Sequence, residues 1–168
     1  RKHDAWSCDL LPCERGGKHL YGDVRQWLDG LNGRRWDLMI AHPPCTYLAR
    51  AGARWWSDPG RAAKRTAALV FVAELLAAPI TKIALENPPG AIGSQIRKAD
   101  QYIQPWQFGH GEVKMTGLWL KNLPRLTPTE VVSGRHPRSY YVSPSPDRWK
   151  ERSRTLPGVA AAMAEQWG

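Results

Sequence analysis

The run Trp36-Asp37-Leu38-Met39-Ile40-Ala41-His42-Pro43-Pro44-Cys45-Thr46-Tyr47 decides how the rest of the chain is read. Leu38 to Ala41 is apolar at every position and too short for a helix, the pattern of a strand buried on both faces of a parallel sheet. Pro43 and Pro44 have no N–H to give a central strand, so the chain must leave the sheet there. Cys45 then stands on a stiff loop at the carboxyl end of a strand, where open α/β sheets put their ligands. Two readings of Cys45 stay open at this point. It is either a thiolate nucleophile held still by the prolines or a structural thiol beside an ordinary turn.

A second stretch repeats the design. Ile80 to Leu85 reads as a buried strand and runs into Glu86-Asn87-Pro88-Pro89-Gly90. Two strands with polar tips and double prolines would bring Cys45 and Glu86 to one edge of a sheet. That pairing says more than either motif alone.

The bulk numbers narrow the class. A chain of 168 residues suffices for one domain with a real core, and 42% hydrophobic with 23% charged residues is the balance of a globular protein. No apolar run reaches membrane-spanning length, because Glu74 and Pro79 break the longest one, around Ala67 to Ile80. No secretory signal is visible, and three cysteines point to free thiols in a reducing cytoplasm, of a bacterial or phage-infected cell. A net charge of +9 suggests a polyanionic partner, nucleic acid first. Nine tryptophans among the arginines favour the same partner, since aromatic rings stack on bases. The alternative is a well-solvated basic surface over a tryptophan-rich core.

The remaining stretches fill in around these two. Asp4 to Cys8 is a brief extended stretch ending in Asp9, placed where nucleotide-binding α/β folds hold ribose hydroxyls. Lys18 to Val24 holds a second short strand ending in Gly22-Asp23, and Val24 to Leu31 reads as a short helix. Asp23 is either its N-cap or a second acid facing a ligand. Cys8, Cys13, His3 and His19 lack the spacing of a zinc site. Tyr47 to Ser57 reads as a functional loop, and Asp58-Pro59 opens the longest helix, which stops before Pro79. Ser94 to Tyr102 is a polar helix or turn, Gln104 to Gly111 and Met115 to Leu120 are later strands, and Pro124 to Pro146 is an extended crossing segment. Leu156 to Trp167 closes the chain as an amphipathic helix. No repeat or second domain interrupts residues 1–168.

With these residues in place, the chain resembles the DNA cytosine-5 methyltransferases, in particular the short versions of phages and prophages. Pro43-Pro44-Cys45 is similar to that family's nucleophile loop, and Glu86-Asn87 to its Glu-Asn pair at the next strand tip. Gln104 to Thr129 and the ending from Ser153 to Gly168 also look like the short phage group. The resemblance implies a Rossmann-like class I methyltransferase fold, three-layered with a mostly parallel sheet. It implies S-adenosylmethionine as methyl donor and DNA as partner, without a membrane. Cys45 would add to carbon 6 of cytosine, and Glu86 would hydrogen-bond near ring N3, making carbon 5 nucleophilic. Asp9 would meet the cofactor's ribose hydroxyls and Asp23 its adenine edge, with Pro43 also against the cofactor. Lys114, Lys121, Arg152 and Arg154 are candidate phosphate or active-site cations. The target base would be flipped out of the duplex. A related enzyme that modifies carbon 5 of a free nucleotide, and an inactive DNA-binding remnant, remain as alternatives.

The chain also departs from that family. The family opens with a strand and a glycine-rich turn that cradles the cofactor, and nothing before Asp4 matches them. Gly16-Gly17 follows the acidic strand and lacks the strand-turn-helix context of such a loop. The fold is therefore expected to lack its first, central strand. Three readings stay open: an N-terminal segment outside this chain, a strand from a second chain completing the sheet, or a remnant without cofactor binding. No target-recognition domain fits, so selectivity would rest on loops such as Arg50 to Ser57 or Gly134 to Pro146.

Overall fold

The computed structural model describes residues 3–14, 16–30, 33–138, 141–146 and 148–168. In order, the elements are β1 (Ser7–Asp9), β2 (His19–Tyr21), β3 (Leu38–Ala41), α1 (Pro59–Ala77) and β4 (Lys82–Asn87), then α2 (Ala91–Gln95), β5 (Gln101–Ile103), β6 (Thr116–Lys121), α3 (Arg148–Ser153) and α4 (Pro157–Trp167). The protein is mixed α/β. Among the described residues no helix is long and apolar enough to cross a membrane.

The main sheet has the order β3-β4-β6-β5, with β3 and β4 parallel and the β4–β6 and β5–β6 pairs antiparallel. β1 and β2 form a separate parallel pair. The expectation of a mostly parallel sheet is thus corrected: two pairings are parallel and two antiparallel. β6 runs back between β4 and β5 and pairs antiparallel with both, so the parallel run stops at β4.

β4 is the central strand, and Ile83, Ala84 and Leu85 are essentially inaccessible. Alternation along it feeds two cores. Leu85 joins Trp119, Val72, Leu75 and Ile92 under α1 and α2, while Ala84 joins Leu118, Ala162, Met163 and Trp167 under α4. Helices therefore cover both faces. Full burial of each leucine- or isoleucine-sized side chain contributes about 1.5–3 kcal/mol. The two large buried indoles also satisfy their N–H groups, Trp119 on the Arg97 carbonyl and Trp167 on the Pro124 carbonyl.

α1 forms as its caps predict. Asp58 accepts from the Arg61 N–H at 2.7 Å, Pro59 occupies the first turn, and the helix ends at Ala77, two residues before Pro79. Other boundaries move. Gln104 to Gly111 is a single tight turn over Pro105–Gln107 and not a strand, because Pro105 lacks an N–H and the Gln107 side chain accepts from the Gln104 N–H. The helix expected over Val24 to Leu31 is one 3-10 turn, Val24–Trp27; Leu31 lies outside the described residues. Arg50–Trp55, read as loop, winds into a 3-10 run. Ser94 to Tyr102 holds the end of α2 and the start of β5. Among its described residues Pro124 to Pro146 contains no strand and no α-helix, although Glu130 and His136 bridge to Phe108 and Glu112.

The sheet is interrupted between β1 and β3. A cavity of about 640 Å³ separates them, lined on one side by Trp6 to Leu10 and on the other by Leu38 to Pro44. Lys82 N–H donates to the Asp37 carbonyl, so Asp37, Met39 and Ala41 turn their main-chain groups toward β4. By strand alternation, the N–H and C=O of Leu38 and Ile40 point the other way, into the cavity. Ile40 is correspondingly 36% exposed, unusual for an apolar residue in such a strand.

Candidate active site

Register explains how two distant segments meet. Ala41 of β3 pairs with Leu85 of parallel β4, so the next residues, His42 and Glu86, stand side by side where the two strands end. His42 Nδ1 lies 3.1 Å from Glu86 Oε2. One residue further, buried Asn87 donates from Nδ2 to the carbonyl oxygen of buried Pro43 at 2.8 Å. Pro43 has left the ladder, and this bond gives its carbonyl the partner that the sheet no longer supplies.

The cysteine loop is closed on itself and then tied to the other tip. Leu48 and Ala49 N–H groups donate to the Cys45 carbonyl at 3.0 and 2.9 Å. Ala49 bridges Gly90, Arg50 N–H donates to the Pro89 carbonyl at 2.9 Å, and Ala91 N–H donates to the Leu48 carbonyl at 2.8 Å. A Cβ on Gly90 would overlap the Leu48 carbonyl, so glycine is required for this approach. The segment after Cys45 and the segment after Glu86 are therefore one braced unit.

Cys45 is an exposed residue whose sulfur is nonetheless partly shielded from water by its surroundings. That desolvation, followed by the negative charge of Glu86, pushes the thiol pKa above its ordinary value, and Lys114 and Arg152 only partly oppose the rise. In the free protein at neutral pH Cys45 is a protonated thiol. Half-buried Glu86 also lines a small depression of about 30 Å³ with Lys114, Thr116, Arg154 and Leu156. Lys114 donates to the Arg154 carbonyl at 3.2 Å, which ties the residues ahead of β6 to the segment between α3 and α4. Lys121 lies elsewhere: it pairs with Ile83 near the opposite end of β4 and donates to the Ala78 carbonyl.

The other predicted residues gather in the large cavity. Asp9, Asp23 and Pro43 all line it, so Pro43 stands between this group and the Cys45–Glu86 group. Asp9 accepts from the Leu11 N–H at 2.9 Å, an Asx turn just past β1. Asp23 is the N-cap of the Val24–Trp27 turn, accepting from the Arg25 N–H at 3.0 Å. The Arg25 side chain, and then its N–H, hold the Asp23 carboxyl down to about 2. Both readings of Asp23 therefore meet in one residue, a cap that also faces the cavity.

Basic and aromatic side chains cluster beside the cysteine loop. Arg61 and Lys64 lie over the Tyr47 ring, Arg54 over Trp55 and Arg65 over Trp56, at 5.1–5.7 Å. Sequence reading passed over His42. Its signal was present as a polar residue in parallel register with Glu86, but register is a tertiary property. Compared with family models, curated proteins and solved structures, the chain matches none of them.

Proposed function

We propose that this chain is the base-activating part of a DNA cytosine-5 methyltransferase with a Rossmann-like class I sheet. The observation that carries the reading is the delivery of Cys45 and Glu86 to adjacent tips of parallel strands, braced together by Asn87, Pro43 and Gly90. The thiolate of Cys45 adds to carbon 6 of an extruded cytosine, while Glu86 hydrogen-bonds near ring N3 and draws electron density as the adduct forms. A protonated resting thiol suits this order of events. When the base binds, the Cys45 thiol proton passes by way of the Glu86 carboxyl to ring N3, so the thiolate adds to carbon 6 as N3 gains the proton. Phosphates meet the +9 surface, including the Arg54, Arg61 and Lys64 cluster.

The cavity suits the cofactor's polar half. Asp9, Pro43 and Asp23 would hold the cofactor there, Asp9 through its ribose hydroxyls and Asp23, which Arg25 also engages, through its adenine. S-adenosylmethionine, when bound, supplies the methyl group. The gap between β1 and β3 supports a sheet one strand short of this fold, completed by an N-terminal segment or by a second chain.

The test is covalent trapping on DNA containing 5-fluorocytosine in the presence of S-adenosylmethionine. A Cys45-linked complex absent from the Cys45→Ser variant is expected. No complex, or an equal one with serine, sinks the reading. A second reading, a DNA-binding remnant without methyl transfer, is favoured by the interrupted sheet. It requires salt-dependent DNA binding that Cys45→Ala leaves intact, and no heat on titration with S-adenosylmethionine.

A further inference from the structure

We propose that His42 is a positioning residue for Glu86, holding its carboxyl group in place beside the Cys45 loop. The inference deepens the methyltransferase reading but is tested without it. Among the described residues, His42 is the hydrogen-bond partner of this carboxylate, at 3.1 Å. A glutamate side chain has several rotamers to choose from, and one at a strand end is confined only by what it touches. The titratable groups around the Cys45–Glu86 site come from three other elements: Cys45 on the loop after β3, Lys114 ahead of β6, and Arg152 and Arg154 from α3 and the residue after it. Two of these are already committed. Lys114 donates to the Arg154 carbonyl at 3.2 Å, and the Arg154 guanidinium pairs with Glu14 at 3.3 Å. His42 directly follows the neighbouring strand, one residue past the Ala41–Leu85 pair, and its ring reaches Glu86 from there.

The chemistry of the contact also suits a group that changes its own protonation. The Nδ1–H donates to a carboxylate, and a neutral Nδ1 accepts from a carboxyl O–H, so the same pair of atoms stays bonded in both forms. A lysine or arginine in that place could donate but could not accept the carboxyl O–H. Glu86 therefore keeps its position whether or not it carries a proton.

The experiment is peptide-resolved alkylation of Cys45 by iodoacetamide at pH 8, read by mass spectrometry. Glu86→Gln removes a negative charge that disfavours the Cys45 thiolate and is expected to speed the reaction roughly three- to tenfold. His42→Ala frees Glu86 to swing away and is expected to speed it comparably. The double variant is expected to go no faster than Glu86→Gln alone, because both act through one carboxylate. His42→Asn is expected to stay near the starting rate, since its amide nitrogen can stand where Nδ1 does. Acceleration by Glu86→Gln but not by His42→Ala overturns the proposal, as do additive effects or an Asn variant as fast as the Ala one. Should His42→Ala fail to fold, His42→Gln, whose amide sits one bond too far out, replaces it with the same expectation. Failure of 5-fluorocytosine trapping with this cycle intact would remove the methyltransferase reading and leave His42's role standing.

Discussion

Asn87, at the end of β4, donates its Nδ2–H to the carbonyl oxygen of Pro43 across 2.8 Å, and both residues are buried. This buried side-chain bond is one of the ties between the two strand tips that carry Cys45 and Glu86. It lies where Pro43 and Pro44 have ended the β3 ladder, so no main-chain donor of β4 can replace it.

Asn87→Leu tests its strength. The substitution removes the donor and strands the Pro43 carbonyl in a buried place, which costs about 1–3 kcal/mol. Urea unfolding is expected to show a lower midpoint with an unchanged slope, and Cys45 alkylation should change because the loop is no longer pinned.

Gly90→Ala probes the second brace. The glycine's φ of 172° is ordinary extended backbone, so the cost comes only from overlap of the new Cβ with the Leu48 carbonyl. The segment from Cys45 to Arg50 must move away to admit it. A loss of about 1–3 kcal/mol, typical of overpacking, is expected in thermal unfolding. Gly134→Ala, where a Cβ meets no atom but φ is +84°, provides a strain-only comparison.

Acid unfolding should carry a contribution from Asp23. Its folded pKa of about 2 lies below the unfolded carboxylate value of about 3.9. A depressed carboxylate contributes stability that is present above the unfolded value and is lost as pH falls through the folded one. The difference between the parent protein and Asp23→Asn, followed by urea midpoints, is therefore expected to be constant above about pH 5 and to shrink between about pH 4 and 2. A difference independent of pH would show that Asp23 acts only as a cap.

The open edge of β3 makes a prediction for hydrogen exchange. Leu38 and Ile40 point their N–H groups into the cavity, whereas Met39 and Ala41 point theirs toward β4. Fast exchange at 38 and 40, with protection at 39 and 41, is expected by NMR. A chain extended at its N-terminus, or a second chain that completes the sheet, should slow exchange at Leu38 and Ile40 alone. Uniform protection along β3 in the chain as it stands would contradict an unpartnered edge.

Several elements were legible in the residues because local chemistry bounds them. β3 begins after Asp37 and ends before His42-Pro43, as an apolar run stopped by proline must. α1 begins after the Asp58 cap and stops short of Pro79, and α4 spans Pro157–Trp167, within the expected Leu156 to Trp167. Elsewhere local signals misled. The prolines at 88 and 89 hid the early start of α2, whose first residue follows directly on Gly90. The apolar residues from Gln104 to Gly111 imitate a strand, but their burial comes from packing Phe108 against α4. Periodicity cannot separate these cases, since any short buried segment looks apolar.

By itself the sequence determined that two proline-braced strand tips would present a thiol and a carboxyl group, because proline ends a ladder and an apolar run buries itself wherever it lies. Tertiary structure decided what stands beside them. Parallel register set His42 against Glu86, the Asn87 bond helped lock the tips together, and desolvation with the Glu86 charge pushed the Cys45 thiol up. It also opened the sheet between β1 and β3. These are relations between residues some 30 to 45 positions apart, and only folding brings them within the few ångströms over which hydrogen bonds and charges act.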